Sequence, residues 1–390
     1  MNILYHHRTQ GTGAEGVHVA YVIKGLRGQG HSVEVVSPNE QEPGDTAGSN
    51  PFGKPSGLKR RVLRRVSRAA PQWAFECLEL GYNLPALFRL GGKLRRRPSF
   101  LYERHAFFLG AGAFLAKKTR TPYMVEVNEV AGEARVRDQI LVGPAQKIEA
   151  YVFRQADAII VVSEFLKERI TNLGVPAAKI HVVPNGVDET LFDPTRERVD
   201  VRGRLGIAPS TVVVGFVGWF VPWHNLELLL NAFADVARGQ DARLCLVGDG
   251  ALKEALLEQA VQLGIDQQLV FPGAVPYSQM PDFVAAMDIC VIPGSNAYRS
   301  PIKLFEYMAM GKPVVAPFYP PIRSVLEPES EGLIFAPDDR QELAAHLDRL
   351  LKDPELRRRM GQKGREKVLA KHLWRHVAER VLNIYQGISK

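Results

Sequence analysis

Short apolar runs rich in β-branched residues recur along this 390-residue chain, each followed by a segment with helical spacing, and midway the series starts again. The first half holds "NILYHH" (2–7), "SVEVVS" (32–37), "FLYER" (100–104), "YMVEVNE" (123–129), "DAIIVVS" (157–163) and "IHVVPNG" (180–186). A fresh start at "TVVVGFVG" (211–218) leads to "ARLCLVGDG" (242–250), "LVFPG" (269–273), "DICVIPG" (288–294), "KPVVAP" (312–317) and "GLIFAP" (332–337). Uninterrupted apolar strands joined by helices predict parallel sheets covered on both faces. A single domain usually spans about 100–200 residues, so the repeat reads as two domains. The expected fold class is α/β, with two Rossmann-like, doubly wound domains, 1–188 and 189–370, facing a deep cleft. The join falls near "PNGVDETLFDP" (184–194), where Pro184, Asn-Gly and Pro194 are turn formers. A terminal helix beginning near 371 is expected to cross back onto the first domain. Strands that end in polar clusters and a cleft between domains are both default ligand positions.

The net charge of +8 is unevenly placed. The first 190 residues carry 26 basic and 18 acidic side chains, and the remainder carries 24 of each. "KPSGLKRRVLRRVSR" (54–68) and "RLGGKLRRRP" (89–98) contain no acidic residue. In the first, Leu58, Val62 and Val66 recur every four residues. This basic amphipathic pattern suits an anionic lipid surface through Arg60, Arg61, Arg64 and Arg65, or a solvated helix face. No nucleic-acid motif accompanies the charge, so no nucleic acid partner is expected. Cys77, Cys245 and Cys290 have neither metal-ligand nor paired-disulfide spacing, which fits a reducing compartment. "MNILYHH" reads as a strand rather than a signal peptide, and no apolar run nears the ~20 residues a membrane span needs. The expected location is cytoplasmic, with peripheral attachment at the inner face of a membrane.

"GTGAEG" (11–16) has the literal spacing of a dinucleotide-binding turn. The fingerprint requires its first glycine directly after the strand and an acidic residue closing the second strand. Here intervening residues separate the first strand from Gly11, and Glu34 lies mid-strand. A Gly-rich loop that lets a sugar or phosphate approach closely at Gly13, or a plain turn before a helix, explains the stretch better than NAD binding.

"SPIKLFEYMAMGKPVVAP" (300–317) is more informative. Ser300 is a good N-cap and Pro301 a good first helical residue. Free N–H groups at a helix start suit a diphosphate. The first turn, Ser300, Pro301, Ile302, Lys303 and Leu304, is expected to line that anion, with Lys303 adding positive charge. Glu306, a turn later, can accept hydrogen bonds from a ribose diol.

With these residues the chain resembles the GT-B fold glycosyltransferases, and specifically glycosyltransferase family 4, the retaining nucleotide-sugar-dependent enzymes. The matching pieces are "EGVHV" (15–19), "ADAIIVVS" (156–163), "VVPNGVD" (182–188), "GFVGWFVPWHNLELLL" (215–230), "LVGDG" (246–250), "VFPGAV" (270–275) and "SPIKLFEYMAMGKPVVA". The resemblance implies that Glu306 is the second glutamate of a paired motif that binds donor ribose. Tyr298 stands where the first would be, with Lys303 compensating at the phosphate. The family places an Arg and a Lys after "VG"; this chain has Val221 and His224, and His224 is expected to be a weaker, pH-sensitive phosphate ligand. Gly218, Gly248 and Val275 are expected beside the donor, Val275 near the base. In the first domain Asn128 stands where some members carry a catalytic histidine. His105 and Asn128 are the first choices for the donor sugar or the acceptor hydroxyl. Arg104, Glu126, Glu15 and His18 are candidates for the acceptor, and Glu103 and Glu129 are further polar candidates.

The implied reaction moves a sugar from a nucleoside diphosphate sugar, UDP favoured over GDP, to a hydroxyl of a glycan or lipid-linked acceptor. Attack is on the front face with retention. The sequence has no Asp-x-Asp pair, so neither a metal nor a bound cofactor is expected. A sugar-nucleotide epimerase or hydrolase of the same fold, or a non-catalytic nucleotide-sugar or membrane-binding module, are the alternatives.

Overall fold

The computed structural model describes residues 1–9, 13–38, 72–133 and 139–389. The described residues divide into two compact units: those up to Pro184 together with those from Trp374 on, and Asn185–Leu373. The segment with Arg60, Arg61, Arg64 and Arg65 lies outside the described residues, as does Gly11.

The strands of the first unit are β1 (Asn2–His6), β2 (Ser32–Val36), β3 (Phe100–Arg104), β4 (Tyr123–Val127), β5 (Ala158–Val161) and β6 (Ile180–Val182). They pair in parallel in the order β2-β1-β3-β4-β5-β6. Every position of β3 and β4 is buried, which requires helices on both faces. The helices are α1 (Gly13–Gly28), α2 (Gln72–Gly81), α3 (Asn83–Leu94), α4 (Ala111–Thr119), α5 (Val142–Gln155) and α6 (Glu164–Asn172). The chain leaves β1 for β2 on one side and resumes with β3 on the other. The carboxyl ends of β1 and β3 therefore flank a topological switch point.

The second unit repeats the plan. Its strands are β7 (Val212–Val217), β8 (Ala242–Val247), β9 (Leu269–Gly273), β10 (Ile289–Val291), β11 (Val314–Pro317) and β12 (Gly332–Phe335). The parallel order is β12-β11-β10-β7-β8-β9, which puts the switch point between β7 and β10. Alternation along β7 sends Val214 and Phe216 into one apolar cluster and Val213 and Val217 into another, so the sheet is filled on both faces. Its helices of seven residues or more are α7 (Leu226–Ala237), α8 (Lys253–Leu263), α9 (Met280–Ala286), α10 (Ile302–Ala309), α11 (Arg340–Lys352) and α12 (Pro354–Lys371).

The last helix, α13 (Trp374–Ile388), buries Trp374, Val377, Ala378, Val381 and Leu382, one stripe at helical spacing. It lies on α1, where Tyr21 stacks on Trp374 at 7° between planes. A Cβ at Gly25 would stand 2.8 Å from the Trp374 carbonyl oxygen, so that contact needs glycine. The terminal helix expected from residue 371 begins three residues later, at Trp374. Lys371 ends α12, and Leu373 forms a β-bridge with Val187 before α13 begins. Among the described residues no helix is long and apolar enough to cross a membrane.

Candidate functional site

In the second unit the loops after β7, β8 and β10 converge with the start of α10. Gly218 follows β7 at φ 146° and Gly248 follows β8 at φ 151°, both left-handed backbone that suits glycine. A Cβ on Gly218 would stand 2.6 Å from Lys303 Nζ, and one on Gly248 would overlap the Gly218 carbonyl oxygen. The Gly218 amide already donates to Val247 O and the Gly248 amide to Gly273 O. These glycines therefore serve the site by making room rather than by donating to a donor molecule. Gly294, after β10, has backbone atoms of Trp223 and His224 where a Cβ would go, so that loop lies on the Trp223–Asn225 turn.

α10 starts one residue later than expected, and Ser300 does not cap it. The helix opens at Ile302, with Pro301 extended and no side-chain cap. Ser300 is taken by Asn185, whose backbone N–H donates to Ser300 Oγ at 3.2 Å and whose side-chain amide donates to Ser300 O at 2.6 Å. The result is a more open helix start than a serine cap would leave. Leu304 also differs from expectation. Its N–H donates to Pro301 O, and its side chain is fully buried in the same apolar cluster as Phe305 and Val275. Ile302 and Lys303 therefore present the N–H groups ahead of the first bond of the ladder.

Lys303 and Glu306 come together as a pair facing opposite tasks. The Lys303 ammonium sits 4.1 Å from the centroid of the Phe216 ring and 3.3 Å from His224 Nε2. Burial pushes its pKa down to about 7, against the pull of Glu306. Glu306 is buried; burial pushes its carboxyl up to about 7, opposed by the hydrogen bond that Tyr277 Oη donates at 2.7 Å and by Lys303. Burial thus works against the charge on both groups, which is the condition of many ligand-binding side chains.

His224 departs from its expected role. Its Nδ1–H donates to Trp219 O at 2.6 Å, which leaves Nε2 to accept from Lys303. Burial and the neighbouring Lys303 and Arg299 charges push its pKa down to about 2. In this arrangement its Nε2 faces Lys303, and burial with the neighbouring positive charges disfavours its protonation.

In the first unit the predicted residues gather at the ends of β3 and β4. Glu126 accepts from Arg104 (2.5 Å), Asn128 Nδ2 (2.8 Å) and Tyr102 Oη (3.0 Å), with His18 Nε2 at 2.7 Å. Burial opposes its charge, but His18, Arg104 and these hydrogen bonds hold it well below the usual carboxylate range. Glu15 is exposed in the first turn of α1, near enough to act on Arg104. Glu103 is spoken for by His6 Nδ1 and Tyr123 Oη, both at 2.5 Å. His105 lies apart from the Glu126 group. Its Nε2 pairs with Glu149 at 2.9 Å, and Glu149 also accepts from the Ala131 N–H. Gly13 opens α1 in left-handed backbone. Glu34, the acidic residue a dinucleotide turn would need, is paired with Lys93 at 2.6 Å.

Sequence reasoning missed Tyr277, Asn185, Tyr102 and Glu149. Each is far in sequence from its partner, and although Tyr102 and Asn185 fell within quoted stretches, no role was attached to either.

Two parallel six-stranded sheets flanked by helices, the second unit carrying Lys303 and the buried Glu306 at an open helix start, match the GT-B glycosyltransferase fold. The family model for glycosyl transferases group 1 matches residues 198–367, and that for the glycosyl transferase 4-like domain matches residues 13–186. The chain belongs to the group 1 glycosyltransferases of family 4, and it is a transferase enzyme. It is 22% identical over 383 residues to an uncharacterised glycosyltransferase of Methanocaldococcus jannaschii, covering 96% of this chain and 94% of that one. It is 27% identical to a GDP-mannose-dependent monoacylated alpha-(1-6)-phosphatidylinositol monomannoside mannosyltransferase of Corynebacterium glutamicum, covering 72% and 76%. Among solved structures, Anabaena HepE in complex with UDP superposes with a TM-score of 0.74 at 18% identity, covering 99% and 100%.

Proposed function

We propose that the enzyme transfers a sugar from a nucleoside diphosphate sugar to a hydroxyl of a glycan or lipid-linked acceptor, with retention of anomeric configuration. The observation that carries this reading is the Lys303–Glu306 pair at the uncapped start of α10. The Ile302 and Lys303 amides and the Lys303 ammonium suit a diphosphate, and Glu306 suits the ribose diol. As the bond from the anomeric carbon to the diphosphate breaks, negative charge grows on the leaving group, where these donors already point. The acceptor oxygen bonds to the anomeric carbon from the same face, and its proton passes to the departing phosphate oxygen. The polar group around Glu126 is the proposed acceptor side, with Asn128, Arg104, His18 and Glu15 as its contacts.

Uridine is the favoured base, supported by HepE, which was solved with UDP and with UDP-glucose. Guanosine is the alternative, given the GDP-mannose-dependent relative. The basic excess of the first half supports an acceptor presented at an anionic membrane surface, as in cell-surface polysaccharide or glycolipid synthesis. α3 adds exposed Leu84 and Phe88 beside exposed Arg95, Arg96 and Arg97.

The test is a thermal-shift screen of nucleotide sugars on the native chain and on Glu306→Ala. The native chain is expected to be stabilised by one nucleotide family, and the variant to bind it about 10–100-fold more weakly, the loss of hydrogen bonds to a charged group. Stabilisation unchanged by Glu306→Ala contradicts the reading. Turnover of the donor that needs no acceptor points to an epimerase or hydrolase.

A further inference from the structure

The resemblance implies an arginine and a lysine in the loop after β7 and a glutamate at position 298; this chain has Val221 and His224 in that loop and Tyr298 at that position. The structure answers both departures with one feature. Arg299 lies on the approach to α10, four positions before Lys303. Its guanidinium carbon stands 5.0 Å from the centroid of the Trp223 ring and 5.3 Å from that of Tyr298. The Trp223 ring in turn lies 6.0 Å from the ring of His224, which faces Lys303. Gly294 keeps the loop after β10 seated on the Trp223 turn, which is what brings Arg299 to the aromatic pair.

Aromatic contacts use the face of a guanidinium and leave its N–H edge available. Among the described residues no carboxylate pairs with Arg299 and no acceptor takes its guanidinium donors. The carboxylate of Glu306 takes the hydrogen bond from Tyr277 and feels the Lys303 charge. Arg299, Lys303 and the open amides of α10 thus make a concentration of donors and positive charge with no anion of the chain to match it.

We propose that Arg299 is the second cationic ligand of the donor diphosphate, supplied from the β10 side in place of the cation absent at Val221, with Trp223 and Tyr298 fixing the plane of its fork. Tyr298 is then a platform for that arginine rather than a substitute ligand for sugar hydroxyls. This rests on the donor reading above, and the experiment separates the two.

Titration calorimetry of the full chain uses UDP and UMP, with GDP and GMP in parallel to cover the other base. The native chain is expected to prefer the diphosphate. Arg299→Gln is expected to weaken UDP about 10–100-fold and UMP less than about threefold, because a charge-assisted contact to one phosphate is lost. Arg299→Lys keeps the charge without the fork and is expected to recover part of the loss. If it is the better-folded protein, as judged by thermal midpoint, it carries the same comparison. Equal losses of UDP and UMP, or no loss of either, overturn the proposal. If the native chain binds neither diphosphate, the donor reading itself fails, whatever Arg299 does.

Discussion

Lys303 and Glu306 are two titrating groups with opposite demands, and their pH behaviour follows from burial. A bound diphosphate favours the charged ammonium. With Lys303 brought down to about 7, affinity on its account is full below that pH and falls as the pH rises through it. A ribose diol favours the carboxylate. With Glu306 brought up to about 7, affinity on its account is full above that pH and falls as the pH drops through it. The pair is coupled, so a nucleotide sugar, whose pyrophosphate does not titrate in this range, is expected to bind with a bell-shaped profile peaking near 7. Glu306→Gln should keep only the alkaline fall, and Lys303→Met only the acid one. Calorimetry across pH 5.5–9 reads this directly, and a flat native profile would show that neither group meets the ligand. The Lys303–Glu306 spacing was legible in the sequence because one helical turn brings i and i+3 to the same side. Tyr277 on Glu306 was not, and His224 was read as a phosphate ligand rather than as the acceptor beside Lys303, since both reach α10 only through the folding of the sheet.

At the scale of elements, the apolar runs located the strands, and several were read as too long. "YMVEVNE" yields β4 only to Val127, "IHVVPNG" yields β6 only to Val182, and "DICVIPG" yields β10 only to Val291. The residues trimmed from these runs are those that leave the sheet at its carboxyl edge, where Asn128, Asn185 and Gly294 do their work. A hydrophobic pattern reports burial, and these loops are largely buried too, so the pattern continued past the turn. The Ser300 cap was misjudged for a related reason: propensity favoured it, and a distant asparagine claimed it. The seat of α13 on α1 depends on close approach at Gly25. Gly25→Leu is expected to lower stability by about 1–3 kcal/mol through overpacking, measured by urea denaturation. An unchanged midpoint would mean that α13 does not depend on this contact.

Over the whole molecule, composition and the repeated series were enough to read the α/β class and two Rossmann-like sheets, because a parallel sheet covered on both faces has few alternatives in sequence. The charge imbalance was equally plain, but what it meets was not, since lipid, a charged acceptor and solvent all accept basic side chains. Binding to anionic vesicles tests this. It is expected to weaken with added salt and to fall several-fold in Leu84→Ser/Phe88→Ser, with nucleotide binding unchanged. Flotation unaffected by salt and by these changes would remove the membrane from the account. The most direct test of the central claim is a crystal structure of the chain with the nucleoside diphosphate that binds it. The account predicts the diphosphate at the start of α10, within hydrogen-bond reach of the Ile302 and Lys303 amides and the Lys303 ammonium, with the ribose on Glu306. A nucleotide lodged instead at the start of α1, beside Gly13, would contradict it.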